Sequence, residues 1–170
     1  MHGVAYDYAK HDEYAIAEAR FSMLVDIPSG GIMTISGQPD LVLVDRFHLI
    51  DFKTTKHVPR LWLTFICPET GKVIREGQCS PRGKTISCPY CEMGEHPKND
   101  VMEEGPPRAY SRHVQQVSLY RLLLTENGIE VSSVDIVYQD MVEQLRIPIR
   151  LMPILEARDL VETLVALHAQ

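Results

Sequence analysis

The sequence has no apolar run long enough to cross a membrane. Its first fourteen residues, MHGVAYDYAKHDEY, hold no signal-peptide core, so the expected location is cytoplasmic. No internal repeat and no low-complexity tract is present, which excludes solenoids and arrays. An excess of positive charge is also missing. The formal net charge is −6, which argues against general adhesion to nucleic acid. Cysteine is absent except for four residues between positions 67 and 91, a clustering that favours a metal site over disulfides in a reducing compartment.

What is present suits one domain over 1–170. The 45% hydrophobic content is enough for a real core. Residues 5–20 place Ala, Tyr and Ile at helical spacing and predict a first helix. Residues 21–27 and 32–36 read as strands joined by the turn Pro28-Ser29-Gly30-Gly31, and 41–44 and 49–52 as two more strands. Regularity then fails over 57–108, a segment rich in Pro, Gly, Cys and charge. Its length marks an insertion with its own organiser, or a disordered loop whose part 92–108 orders only on DNA. Beyond it, 110–126 forms an apolar helical band stopped by Asn127-Gly128. Residues 131–138 and 144–149 read as strands, and 153–168 as a closing amphipathic helix with Pro153 in its first turn. The expected class is α/β, a central mixed sheet flanked by helices.

Charge is uneven along the chain. Lys56, Arg60, Lys72, Arg75, Arg82, Lys84 and Lys98 face four acids in the same span, so 56–98 is +3 and the remainder is −9. Such a segment is either a local phosphate contact or a solvated loop.

The informative segment is 36–55. Asp51 and Lys53 are two apart on a strand, so their side chains share a face while Phe52 points away. If Asp45 pairs with His48 across a two-residue turn, Asp40 lies opposite Lys53 and all three share that face, which a one-residue slip would undo. Two close carboxylates repel unless a divalent cation lies between them, and Mg²⁺ favours carboxylates, water and phosphate. A nearby lysine orients water or steadies charge on phosphate. The plainer reading is a surface hairpin with a cross-strand Asp–Lys pair.

Gly37-Gln38-Pro39-Asp40, then Asp51-Phe52-Lys53-Thr54, then Gln116-x-x-x-Tyr120 on a helix resembles the PD-(D/E)XK nuclease superfamily, in particular its RecB-like branch. The resemblance spans the whole chain, with the cysteine segment as an insertion. It implies a restriction-endonuclease-like core in which Mg²⁺ or Mn²⁺ is held by Asp40, Asp51 and the carbonyl of Phe52. Lys53 would be the catalytic lysine. Gln116 and Tyr120 would place the substrate strand, joined in DNA contact by Lys56 and Arg112. His11 and Glu18 are candidates for the branch's histidine and glutamate on the first helix. The match of His11 is loose, since Tyr6 or Tyr8 could fill that place and His11 could simply be an exposed helical residue.

The implied activity is metal-dependent phosphodiester hydrolysis of DNA, single-stranded or with free ends. A RecB-like exonuclease in recombination, repair or phage replication comes first, and a structure-specific endonuclease second. A zinc-organised, non-catalytic DNA-binding or scaffolding module, working with a recombination or replication protein, is the rival from another class. No dedicated target-recognition region suggests a restriction enzyme.

Within the insertion, Cys88-Pro89-Tyr90-Cys91 is a knuckle suited to one edge of a tetrahedral metal. Cys67 and Cys79 are the expected partners, with His96 able to replace one cysteine. Structural Zn²⁺, a 4Fe–4S cluster and free thiols all remain open. Iron–sulfur members of the branch place their cysteines differently, around the nuclease core. Trp62, Phe65 and Tyr90 either stack on unpaired bases or anchor the insertion.

Overall fold

A computed structural model of the chain describes Ala5, Asp7 and residues 10–168. The backbone divides into two compact units, one formed by residues 1–58 and 109–170, the other by 59–108.

The larger unit is built on a five-stranded sheet of order β1-β4-β5-β11-β12. Its strands are β1 (Ala15–Ala17), β4 (Leu41–Leu43), β5 (His48–Thr54), β11 (Ser133–Gln139) and β12 (Gln144–Pro148). Only β5 and β11 run parallel, so the sheet is mixed. The parallel pair requires a crossover, and the long helix α2 (Ser111–Glu126) belongs to it. Val117 and Leu124 of that helix pack with Val42, Leu49, Val134, Ile136 and Tyr138 on one face of the sheet. Leu41, Leu43, Ile50 and Val137 turn to the other face and pack with Ala5. Leu41, Val42 and Leu43 are all buried, as expected of a sheet covered on both faces.

Strands β2 (Phe21–Asp26) and β3 (Ile32–Gly37) form a separate hairpin, outside the central sheet. Their inward residues Met23, Val25, Met33 and Ile35 pack with Leu122 of α2 and with Ala157, Val161 and Val165 of the closing helix α3 (Ile154–His168). Helix α2 stops where Asn127 donates its backbone N–H to the carbonyls of Leu123 and Leu124 and Gly128 takes a positive φ of 78°.

The first helix differs from expectation. Ala5 and Asp7 are helical, but Ala15-Ile16-Ala17 is a strand. The unpaired edge of β4 offers these residues a ladder, and that tertiary pairing overrides the helical preference of alanine. The turn between β4 and β5 also differs. It is a 3-10 turn, Val44–Arg46, closed by Phe47 in the left-handed region, instead of a two-residue connection.

The smaller unit is built from short strands and one helical turn. Strands β6 (Trp62–Ile66), β7 (Val73–Gly77) and β10 (Met102–Gly105) form a three-stranded antiparallel sheet of order β10-β6-β7. Strands β8 (Thr85–Ser87) and β9 (Glu95–Pro97) form a hairpin followed by a one-turn helix, α1 (Lys98–Val101). Residues 92–108, expected as a coil, therefore hold β9, α1 and β10. Phe65, Ile86 and Val101 make a small core. The buried Lys98 ammonium donates to the carbonyls of Pro81 and Gly83, which satisfies a charge that would otherwise be costly to bury.

Candidate metal sites

In the larger unit, register decides which acids meet. Leu41 pairs with Ile50 and Leu43 with His48, so the next step of the ladder sets Asp40 opposite Asp51, not Lys53. The longer 3-10 turn shifts the expected register by two residues. A shift of two preserves the face, because side chains alternate with period two. Asp40, Asp51 and Lys53 are accordingly brought together.

Asp51 is 1% exposed, and its Oδ2 lies 2.7 Å from Nζ of Lys53. The contact is an ion pair without aligned hydrogen-bond geometry. Among the described residues this buried oxygen has no hydrogen-bond partner. Burial pushes the Asp51 carboxyl up to about 6, and Asp40 adds to that rise, while Lys53 opposes it. Asp40 is fixed by its own acceptor role: Oδ2 receives the backbone N–H of Phe52 at 2.7 Å. Its backbone carbonyl accepts from Glu18 N–H at 3.1 Å, which places Glu18 beside Asp40. Glu18 holds a φ of 52°, a left-handed conformation unusual for a residue with a side chain and a form of strain often found at functional sites.

His11 is not part of this group. It lines a surface depression with Asp45 and Arg46, at the β4–β5 turn. The antiparallel pairing of β1 on β4 explains the separation: the chain before Ala15 runs to that turn, while the chain after Ala17 reaches Asp40.

Gln116 and Tyr120 lie one turn apart on α2, and the Gln116 amide donates to the Tyr120 hydroxyl at 2.6 Å. Burial raises the Tyr120 phenol above its ordinary range. The charges of Asp51 and Asp40 raise it further and Lys53 lowers it, so the ring lies within the field of the cluster. The helix comes this close because residue 37 is glycine. A Cβ there would stand 2.8 Å from Tyr120 Cε1 and 2.9 Å from Leu123 Cδ1. Space, not backbone angle, is what requires Gly37.

One neighbour was not foreseen from sequence. Tyr138 is opposite Lys53 in the parallel β5–β11 register and is fully buried. Its hydroxyl accepts Tyr110 N–H at 3.0 Å and lies 2.9 Å from Nδ1 of His113. Arg112 donates to Nε2 of that ring at 3.2 Å, so a neutral His113 carries its proton on Nδ1 and donates to Tyr138. Burial, then the charges of Lys53 and Arg112, lower His113 below its ordinary value. An aromatic residue at this strand position reads as core, so only the register reveals the link. Arg112 and Lys56, the other expected contacts, are exposed.

In the smaller unit, Cys67, Cys88, Cys91 and His96 gather with their donor atoms within 4.8 Å of one another. His96 Nε2 is 3.1 Å from Cys91 Sγ and 3.9 Å from Cys67 Sγ. A tetrahedral site with Zn–S bonds of about 2.3 Å has edges of roughly 3.8 Å, so this cluster could hold a metal such as zinc. Two tight turns present the ligands. Cys67 follows β6, its N–H donating to Lys72 and its carbonyl accepting from Gly71; Cys88 donates to Gly94, which donates to Cys91. The Thr70 hydroxyl holds the Cys67 thiol down, to about 6, against the effect of burial. Burial pushes the Cys91 thiol up to about 11.

Cys79 is exposed and outside the cluster, a correction to the four-cysteine set. Antiparallel β7 runs back from the Cys67 end, and Gly77 pairs with Leu63. Cys79 therefore emerges at the far end of β6, roughly 13 Å along the strand from Cys67. His96, brought back by the β8–β9 hairpin, supplies the fourth donor.

Of the three aromatic residues considered for stacking, Phe65 is fully buried and anchors the small core. The Trp62 indole N–H donates to Glu76 at 3.2 Å, and Arg108 lies 5.1 Å from its ring. Tyr90 is exposed beneath the Lys72 ammonium, 5.3 Å away.

The geometry defines a mixed α/β protein with a carboxylate–lysine cluster on its central sheet and a separate Cys3His cluster. Among solved structures, that of the protein SSO0001 is similar, with a TM-score of 0.55 and 13% identity over 98% of this chain. The chain spans 56% of the length of that one, and the likeness is one of fold. The chain matches no protein-family model and no curated protein. Among the described residues no helix is long and apolar enough to cross a membrane.

Proposed function

We propose that this protein is a Mg²⁺- or Mn²⁺-dependent DNA nuclease of the PD-(D/E)XK type, a RecB-like exonuclease, acting through Asp40, Asp51 and Lys53. The observation that supports it most is the buried Asp51 carboxylate, set beside a second carboxylate and paired with a lysine. Burying this group without purpose would be costly.

Two adjacent carboxylates, one of them buried, fit a hard divalent cation. Asp40, Asp51 and the Phe52 carbonyl would hold it, with Glu18 beside them. Bound there, the cation supplies Lewis-acid stabilisation of the charge that develops on phosphate. Lys53 orients the attacking water and steadies the phosphoryl oxygens. Gln116 and Tyr120 position the substrate strand against the cluster. The Phe52 N–H holds Asp40 in place, and the packing of α2 on Gly37 holds Tyr120.

The test is cleavage of linear DNA with Mg²⁺, Mn²⁺ or EDTA by the native chain and by Asp51→Ala and Lys53→Ala. Metal-dependent cleavage lost in both folded variants is the expected result. Cleavage at the native rate in either variant would sink the assignment.

The Cys3His cluster is proposed as a structural zinc site. A short segment with so small a core gains shape from metal ligation.

A further inference from the structure

The hairpin joining β11 to β12 ends in two apolar residues fully in water: Met141 is 102% exposed and Val142 is 93% exposed. Single exposed apolar side chains are ordinary. Two in succession at the tip of a tight turn, where Gly, Asn and Asp are usual, are not.

The tip is firmly held. Asp140 Oδ1 accepts the N–H groups of Val142 and Glu143 at 2.7 and 2.9 Å, and Asp140 N–H donates to the Glu143 carbonyl at 3.1 Å. The other oxygen, Oδ2, accepts Val58 N–H at 3.4 Å, and Thr55 N–H donates to Gln139. Those bonds lace the tip to residues 55–58, where Lys56 is exposed.

The position of the tip is fixed by register. Tyr138 lies opposite Lys53 and β11 ends at Gln139, so the turn carrying Met141 follows directly at the end of the sheet where Lys53 stands. Proteins that open or kink duplexes insert apolar side chains such as Met, Leu and Ile between base steps, with cations on the flanking phosphates.

We propose that Met141 and Val142 form an apolar wedge that unstacks terminal base pairs of duplex DNA, with Lys56 on the adjacent phosphate, so that one strand is fed to the carboxylate–lysine cluster. The wedge rests on the nuclease reading and adds a substrate to it: duplex ends, entered by strand separation. Anchoring by Asp140 makes it stiff, so force on the bases is not dissipated by the turn.

The experiment compares the native chain with Met141→Ser/Val142→Ser on a blunt duplex and on the same strand alone, with Mg²⁺. Both positions are fully exposed and Asp140 is retained, so the hairpin stays folded, which circular dichroism checks. The expected result is a fall in the ratio of duplex to single-strand cleavage on the order of tenfold. A parallel readout uses a duplex carrying 2-aminopurine at its end, bound by the Lys53→Ala protein with and without the tip substitutions. Fluorescence should rise only with the native tip. An unchanged cleavage ratio with equal fluorescence overturns the wedge and leaves the nuclease standing. So does a dimer in sedimentation that the substitutions dissociate while the ratio holds, which would assign the tip to self-association. Absence of both binding and cleavage by the native chain overturns both readings.

Discussion

The backbone N–H of Phe52 is bonded to the carboxylate of Asp40 at 2.7 Å. Through that bond β5 grips an acid that comes from outside it, and Asp40 is held beside Asp51 before any ligand arrives. The grip uses the backbone of Phe52 and leaves its side chain on the opposite face of the sheet. Asp40→Asn keeps an acceptor for this N–H while removing charge, whereas Asp40→Ala loses both. Both variants should lose cleavage by about 100-fold or more. Only the alanine variant should also lose stability, by about 1–2 kcal/mol, measured by urea unfolding.

The raised Asp51 carboxyl gives a pH dependence with a definite sign. Its folded value of about 6 exceeds the ordinary 3.8, so the fold binds this proton more tightly than the unfolded chain does. The contribution to stability is full below about 4 and is lost as pH rises through about 6. A divalent cation needs the ionised form, so cation binding should strengthen over the same range. Melting with and without Mg²⁺ at pH 5 and pH 7.5 measures this. Stabilisation by Mg²⁺ should be larger at pH 7.5, and cleavage should rise with pH through about 6.

Gly37→Ala introduces a methyl group 2.8 Å from the Tyr120 ring. The contacted atoms belong to a packed aromatic residue and to Leu123, so the helix must move. The expected cost is about 1–3 kcal/mol, read by thermal unfolding. Cleavage should fall with it, because Tyr120 moves away from the cluster.

Zinc should be found at one ion per chain and should survive Cys79→Ser. Cys91→Ser and His96→Ala should lose it, and both should open residues 59–108 to proteolysis. Elemental analysis and limited proteolysis check the pair. Iron in place of zinc, or metal lost in Cys79→Ser, would contradict the Cys3His assignment.

Much of the larger unit was legible from the sequence because its elements are periodic. Strands β2 to β5, helices α2 and α3 and the hairpin of β11 and β12 follow apolar spacing and turn residues. Residues 15–17 misled because alanine favours helix locally while an unpaired sheet edge offered a partner. The face shared by Asp40, Asp51 and Lys53 was legible because it depends only on parity. The register itself was not, since it hinged on a turn type that Val44-Asp45-Arg46 does not announce. His96 was legible as a possible replacement for one cysteine, but which cysteine it replaces was not. Cysteine spacing says nothing about β7 carrying Cys79 away from Cys67, nor about β9 folding back to bring His96 in its place. Tyr138 is set opposite Lys53 only by the parallel pairing of β11 with β5, which sequence spacing does not announce.

The most direct measurement is digestion of end-labelled DNA, linear and circular, single- and double-stranded, with Mg²⁺, Mn²⁺ or EDTA, by the native chain and by Lys53→Ala. Metal-dependent loss of linear DNA, spared circles and an inert variant are expected of an exonuclease acting through this cluster. Cleavage that persists in EDTA or in Lys53→Ala, or no cleavage with either metal, would contradict it.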